Sequence, residues 1–378
     1  MSRRFSPAIL KPDQTLLLKA ALLPPDEALT CWQHWKKARS LDRLDTTGPD
    51  LLPTIFDPLG YDSQRLMPLV YRHLEKSGDA LIPHLRGIYR YTWMSNQRFM
   101  LKMQQVVGAL QSAGIDTMVL KGIPLSLRYY GDMGVRLMSD LDVFVPTDRA
   151  ADAIRVLSQQ PLALKWSEYE YKYRHLLHAM HLFDANKVDV DLHWNLMSQH
   201  AYAGADAPFW AAREPLALTP TLTTHTLSPT HQLFHNLIHG FGWGMTPAIR
   251  WVADSYVIYQ QPGVVIEWQE LLDLAETFRL GFPVRQSLRL LQTDFRLELP
   301  TDVVTRLNGL TLSVDEQTYF DLLPKKTGNP LVKTVRYLEK HRLAHRLFRT
   351  NKPGPTLLPW LYGQLRFRLD WDKRDLPF

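Results

Sequence analysis

Asp140 and Asp142, two positions apart, lie in an apolar alternation that follows a Lys121-Gly122 turn. Side chains at i and i+2 of a strand share one face, with Cα atoms roughly 6.5–7 Å apart. Carboxylates held that way repel each other and raise one pKa unless a cation neutralises them. A divalent metal is the usual remedy, and Mg²⁺ is typically held by one or two carboxylates plus substrate phosphates. The glycine turn, opening a helix, offers backbone N–H groups to those phosphates. Further on, KVDVDLHW places Asp189, Asp191 and His193 on one face of a second strand. This set fits metal-assisted phosphoryl or nucleotidyl transfer.

The elements that must position these groups follow from periodicity. Residues 14–95 read as helical, with breaks at Pro24-Pro25 and over 46–53. Apolar spacing predicts helical stretches over 66–76 and 85–93 and a clearer helix over 97–113. There Phe99, Met103, Val106, Val107 and Leu110 form one stripe, and Gly114 takes the C′ position. A short buried strand over 115–120 enters the turn, and Pro124 suits the first turn of a helix ending near Gly131. The next strand, over 136–145, alternates: Leu137, Leu141, Val143 and Val145 face one way, Arg136, Met138, Asp140, Asp142 and Phe144 the other. Thr147 is placed to N-cap a helix running to about Gln159. A hairpin is expected between 181–184 and 187–194, across Ala185-Asn186. The period then turns helical over 231–260, 268–280 and 283–293. A polar linker near 328–330, a basic helix over 331–349 and a last helix over about 360–370 complete the chain. The pattern predicts an α+β protein: helical 1–95, a small mixed-sheet catalytic domain over 96–215, a helical domain over 216–324 and a basic tail over 325–378.

At 378 residues and 45% hydrophobic content the chain can bury a substantial core. No run of about 18 apolar residues predicts a membrane span, and no apolar stretch follows Arg3-Arg4 as a signal peptide needs. Cys31, the single cysteine, excludes an internal disulfide or a multi-Cys zinc site. A cytoplasmic protein is the expectation. The net charge of +6 is uneven: between Lys325 and Arg374 thirteen Lys and Arg face three acids, so the remaining residues are net acidic. Such a tail fits contact with a polyanion, and it fits solvated surface charge as well. His231, His235 and His239 recur at helical spacing that permits a two-His metal site, without the Glu of an H-E-x-x-H motif. Arg250 and Asp254, one turn apart, are expected to pair.

The residues L-K-G at 120–122, Tyr129-Tyr130, Arg136, S-D-L-D at 139–142, D-L-H-W at 191–194, His239-Gly240 and R-W-V-A-D at 250–254 resemble the polymerase-β-type nucleotidyltransferase superfamily. More narrowly, they resemble the bacterial family labelled "uncharacterised nucleotidyltransferase", over roughly residues 15–300. The resemblance implies a polymerase-β-like catalytic sheet and transfer of NMP from an NTP to a hydroxyl or phosphate acceptor. It implies two Mg²⁺ ions, replaceable by Mn²⁺, on Asp140 and Asp142, with Asp191 as third carboxylate and Asp189 as the alternative on the same face. It further implies a nucleotide-binding set of Lys121, Gly122, Arg136, Ser139, His193 and His239. Arg136 could instead pair with Asp132 or Asp140. The superfamily places Gly-Ser after the first strand; here Ile123 follows Gly122 and Lys121 precedes it. Lysine can take phosphate as a point charge. The expected partners are an NTP donor and an unidentified acceptor (small molecule, peptide or protein, or RNA), with no membrane. Two rival readings are a nucleotide- or partner-binding module without turnover, and an RNA-modifying transferase guided by the basic tail.

Overall fold

The computed structural model describes residues 10–43, 60–240, 249–322 and 330–370; the break expected over 46–53 lies outside them. Seven strands form one mixed sheet: β1 (Met118–Val119), β2 (Leu141–Phe144), β3 (Lys165–Trp166), β4 (Ala179–Phe183), β5 (Asp189–His193), β6 (Glu214–Thr219) and β7 (Leu222–Thr226). Their spatial order is β3-β4-β5-β2-β1-β7-β6. The β2–β5 and β1–β7 pairs are parallel and the others antiparallel. The fold is therefore α+β, as expected, with helices on both faces of the sheet.

Strand alternation feeds two cores. Val119, Leu141, Val143, Val190 and Leu192 pack with Met103, Val106, Val107 and Leu110 of the helix Ile82–Ser112 and with Ile154 and Leu157 of the helix Ala150–Ser158. Met118 and Phe144 point the other way, into a larger core shared with the helices Pro229–His239, Arg250–Gln260 and Gly281–Phe295. Each large aliphatic side chain so buried contributes about 1.5–3 kcal/mol.

The two helices expected over 85–93 and 97–113 are one continuous helix, so the boundary expected at 95/96 falls inside it. It ends as the sequence indicates. Gly114 adopts φ +66, its N–H donates to Gln111 O (2.9 Å), and Ile115 N–H donates to Leu110 O (3.0 Å). The sheet also runs past residue 215, because β6 and β7 join it through β1.

The strand expected over 136–145 is shorter, residues 136–140 being a loop held by long-range partners. Asn96, fully buried on the long helix, donates from Nδ2 to Met133 O (2.6 Å) and Arg136 O (2.8 Å) and accepts Met138 N–H (3.1 Å). Thr147 does not cap the following helix. Its hydroxyl donates to Trp194 O (2.7 Å), tying the end of β2 to the end of β5.

Beyond residue 300 the chain forms two helices that the apolar period did not announce, Thr301–Gly309 and Val314–Leu322. The basic stretch is no free appendage. Leu343, Ala344, Leu347 and Phe348 belong to the larger core. Tyr169 hydroxyl donates to Phe367 O, Lys172 pairs with Asp370 (2.9 Å) and Arg346 with Asp315 (2.9 Å). Among the described residues no helix is long and apolar enough to cross a membrane.

Candidate active site

β1 ends in a strained turn. Lys121 sits at φ +49, ψ −106, a conformation costing a non-glycine residue about 1–3 kcal/mol. The turn is held by Leu120 N–H donating to Asp142 O (3.1 Å) and Leu125 N–H donating to Lys121 O (3.1 Å). Gly122 is required by close approach, since a Cβ there would meet Met138 Sδ at 2.7 Å. The strain aims the Lys121 ammonium at Asp142 Oδ1, 2.5 Å away.

The parallel register of β2 and β5 sets Asp142 opposite Asp191 and Phe144 opposite His193. Because alternate residues of β5, Val190 and Leu192, fill the core beneath, Asp191 and His193 face the helical layer together with Asp142. His193 Nε2 lies 2.9 Å from Asp191 Oδ2 and 3.2 Å from Asp142 Oδ1. The ligand atoms of these three side chains fall within 4.8 Å of one another, close enough that they could hold one metal ion. Two atoms of this buried cluster have no hydrogen-bond partner, Asp191 Oδ1 and His193 Nδ1. Asp140 precedes β2 rather than lying on it; its carboxylate accepts the Ser139 hydroxyl (3.0 Å), which itself accepts from Arg65 Nη2 (3.1 Å). Asp189 turns to His181 Nδ1 (3.0 Å).

A cavity of about 260 Å³ opens here, lined by Lys121, Asp140, Asp191 and His193, by His178, His235 and His239, and by Leu196, Met197 and Ile238. Larger hollows of about 750 and 610 Å³ lie among the C-terminal helices and beside Arg128. Among the described residues, only the smaller cavity has three metal-ligating side chains converging within 4.8 Å. The wall residues Leu196 and Met197 are set by Asp206, which accepts Leu196 N–H (2.9 Å) and Asn195 Nδ2 (2.7 Å).

Electrostatics follow from burial and pairing. Burial alone would raise Asp142, but Lys121 and His193 outweigh it and hold its carboxyl below the usual range. The His193 charge does the same to Asp191. Burial pushes His193 down, yet Asp191 and the hydrogen bond to Asp142 carry it up to about 9. Burial and the His193 charge drop His178 to about 3, and burial keeps His235 and His239 well below their ordinary value. One wall of the cavity is thus ionic and the other carries neutral imidazoles.

Since folding raises His193 from 6.5 to about 9, its contribution is fully present below pH 6.5 and is lost as pH rises through about 9. It amounts to about 3 kcal/mol for this nearly inaccessible side chain. Urea unfolding in EDTA will therefore show the chain weakening between pH 6.5 and 9.5, and His193→Gln will flatten that fall. A His193→Gln profile as steep as wild type would refute the assignment.

Arg136, expected beside phosphates or on Asp132 or Asp140, instead closes on Asp254: Nε to Oδ1 at 2.8 Å and Nη2 to Oδ2 at 2.9 Å. Tyr130 hydroxyl donates to the same carboxylate (2.9 Å). The expected Arg250–Asp254 pair is thereby displaced, and Arg250 Nη1 donates to Leu137 O (2.5 Å). Asn96 and Asp206 were missed in the sequence. Asn96 had a signal, a lone amide on the apolar side of the long helix; Asp206, in an irregular loop, had none.

The mixed sheet thus carries, beside a strained lysine turn, a buried Asp-Asp-His cluster that could hold a metal ion. Residues 61–296 match the family described as Uncharacterised nucleotidyltransferase, and the chain belongs to that family. The crystal structure of an antigenic nucleotidyltransferase-like protein from Paracoccidioides brasiliensis is similar to 56% of this chain and 98% of its own, at 17% identity and a TM-score of 0.37. No curated protein matches.

Proposed function

We propose that this chain is a Mg²⁺-dependent nucleotidyltransferase that moves NMP from an NTP to a hydroxyl or phosphate acceptor. The observation that carries the reading is the pairing of Asp142 with Asp191 across parallel strands, buried and joined by His193. The donor set suits a divalent cation: two carboxylates converge, and the buried Asp191 Oδ1 has no hydrogen-bond partner. When bound, the cation supplies charge neutralisation at the α-phosphate and a lowered pKa for the acceptor hydroxyl. Asp142 and Asp191 would hold it, and Asp140, on the cavity wall, would be the further carboxylate for a second ion. Lys121 then faces phosphate oxygens as a point charge in place of its present partner, Asp142. Asp191 is the candidate base for the acceptor hydroxyl. A cavity of about 260 Å³ lies under the ~300 Å³ floor of ordinary ligand pockets, so it encloses the phosphates while nucleoside and acceptor extend beyond it.

Calorimetry with ATP, GTP, CTP and UTP, with and without Mg²⁺, followed by pyrophosphate release from wild type and Asp142→Asn, tests the reading. Mg²⁺-dependent binding and pyrophosphate release that needs Asp142 support it. Binding without pyrophosphate, whatever the acceptor, would make the chain a binding module, a reading that the Lys121 ammonium on Asp142 favours. No nucleotide binding would overturn both.

A further inference from the structure

Arg65, Arg136 and Arg250 meet at the loop that leads into β2. Leu137 O accepts from both Arg250 Nη1 (2.5 Å) and Arg65 Nη2 (3.4 Å). Asp254, the acid one turn from Arg250 on the same helix, is taken by Arg136 and Tyr130. Among the described residues Arg250 has no carboxylate within ion-pair distance, and its known hydrogen bond goes to a neutral carbonyl. A half-buried guanidinium so placed is under-neutralised, and burial together with Arg136 and Arg65 lowers its pKa to about 9.

Its surroundings say what it waits for. Leu137 is three residues before Asp140, a span of roughly 11 Å at most. The Arg250 charge acts on Asp140 and on His239, both of which line the cavity. The Asp140 carboxylate, whose hydrogen bond comes from a neutral hydroxyl, therefore adjoins surplus positive charge at Arg250. A metal-bound polyphosphate has the complementary pattern: its cation meets the acids and its far oxygens meet the guanidinium. A nucleoside monophosphate has no such far oxygens. Arginine presents five donors in a planar fork, and one is committed to Leu137.

Resting on the nucleotidyltransferase reading above, the geometry points to Arg250 as the residue that binds the non-transferred β- and γ-phosphates. It makes the site selective for triphosphate donors and for pyrophosphate over nucleoside monophosphates.

Calorimetry on the full chain with Mg²⁺ and, in turn, ATP, inorganic pyrophosphate and AMP tests this. Arg250→Gln keeps a donor for Leu137 O and removes the charge. A lost charge-assisted contact should weaken ATP and pyrophosphate about tenfold, with AMP changed less than about twofold. Arg250→Lys should fall between. Unchanged ATP and pyrophosphate affinity, or an equal loss for AMP, would overturn the assignment while leaving the nucleotidyltransferase reading intact. Wild type that binds no MgATP would overturn both. Should Arg250→Gln fail to fold, Arg250→Lys decides. About threefold weaker pyrophosphate binding with AMP unchanged supports the role, and wild-type values refute it.

Discussion

Asp142→Asn should lower single-turnover pyrophosphate release by about a thousandfold or more while leaving the protein folded. Asp142 is the junction of the site: its Oδ1 meets Lys121 Nζ at 2.5 Å and His193 Nε2 at 3.2 Å, and its side chain is 2% exposed. The amide fills the same volume and can still accept from Lys121 through its carbonyl, so packing survives. What is lost is the anionic charge that would hold a cation against the donor. Such charge stabilisation is worth several kcal/mol, and about 4 kcal/mol corresponds to a thousandfold. Asp189→Asn is the matched control. Asp189 is on the same strand, but it binds His181, so its loss should cost no more than a few-fold. Rapid-quench assays at saturating Mg²⁺ and NTP make the comparison. Asp142→Asn within tenfold of wild type, or Asp189→Asn as damaging as Asp142→Asn, would remove Asp142 from the chemistry.

Legibility in the sequence tracked the range of the interactions. The β4–β5 hairpin, the Gly114 helix end and the shared face of Asp191 and His193 depend on alternation, turn residues and neighbours a few positions apart, and all were readable. The start of β2 was not. Arg136 alternates correctly for a strand, yet its carbonyl is bound by Asn96 forty positions earlier and its guanidinium by Asp254, 118 positions later. Local periodicity cannot report either partner. The same limit explains Thr147, a good cap by type whose hydroxyl is taken by the neighbouring strand's end. In the basic stretch, lysines and arginines dominated the reading. Its anchor, the apolar group Leu343, Ala344, Leu347 and Phe348, was hidden among them. Candidate site residues were thus visible as types on a face, whereas their grouping required the parallel β2–β5 register. That register arises from a crossover, and a crossover leaves no local trace in sequence.

Arg136→Met should destabilise the chain by about 3–5 kcal/mol, because it leaves the buried Asp254 carboxylate with Tyr130 as its hydrogen-bond partner and Arg250 beyond ion-pair distance. Both partners are nearly inaccessible, with side-chain exposures of 6% each, so water cannot replace the lost guanidinium. Asp254→Asn should cost less, since the amide retains a carbonyl for Arg136 and Tyr130. The double variant Arg136→Met, Asp254→Leu should recover most of the loss. Isosteric apolar replacement of a buried ion pair is often neutral, whereas removing one member is not. Urea denaturation of the two single variants and the double variant closes the cycle and yields the coupling directly. Recovery of stability carries a second expectation, for function. The Arg136–Asp254 pair joins the loop before β2 to the helix Arg250–Gln260 and thereby fixes Asp140 relative to Arg250. A double variant restored in stability yet weakened about tenfold in MgATP affinity would mean that the pair orients the site. A double variant restored in both would confine it to the architecture. Single variants as stable as wild type would mean that the carboxylate is neutralised without Arg136, contrary to the bidentate geometry.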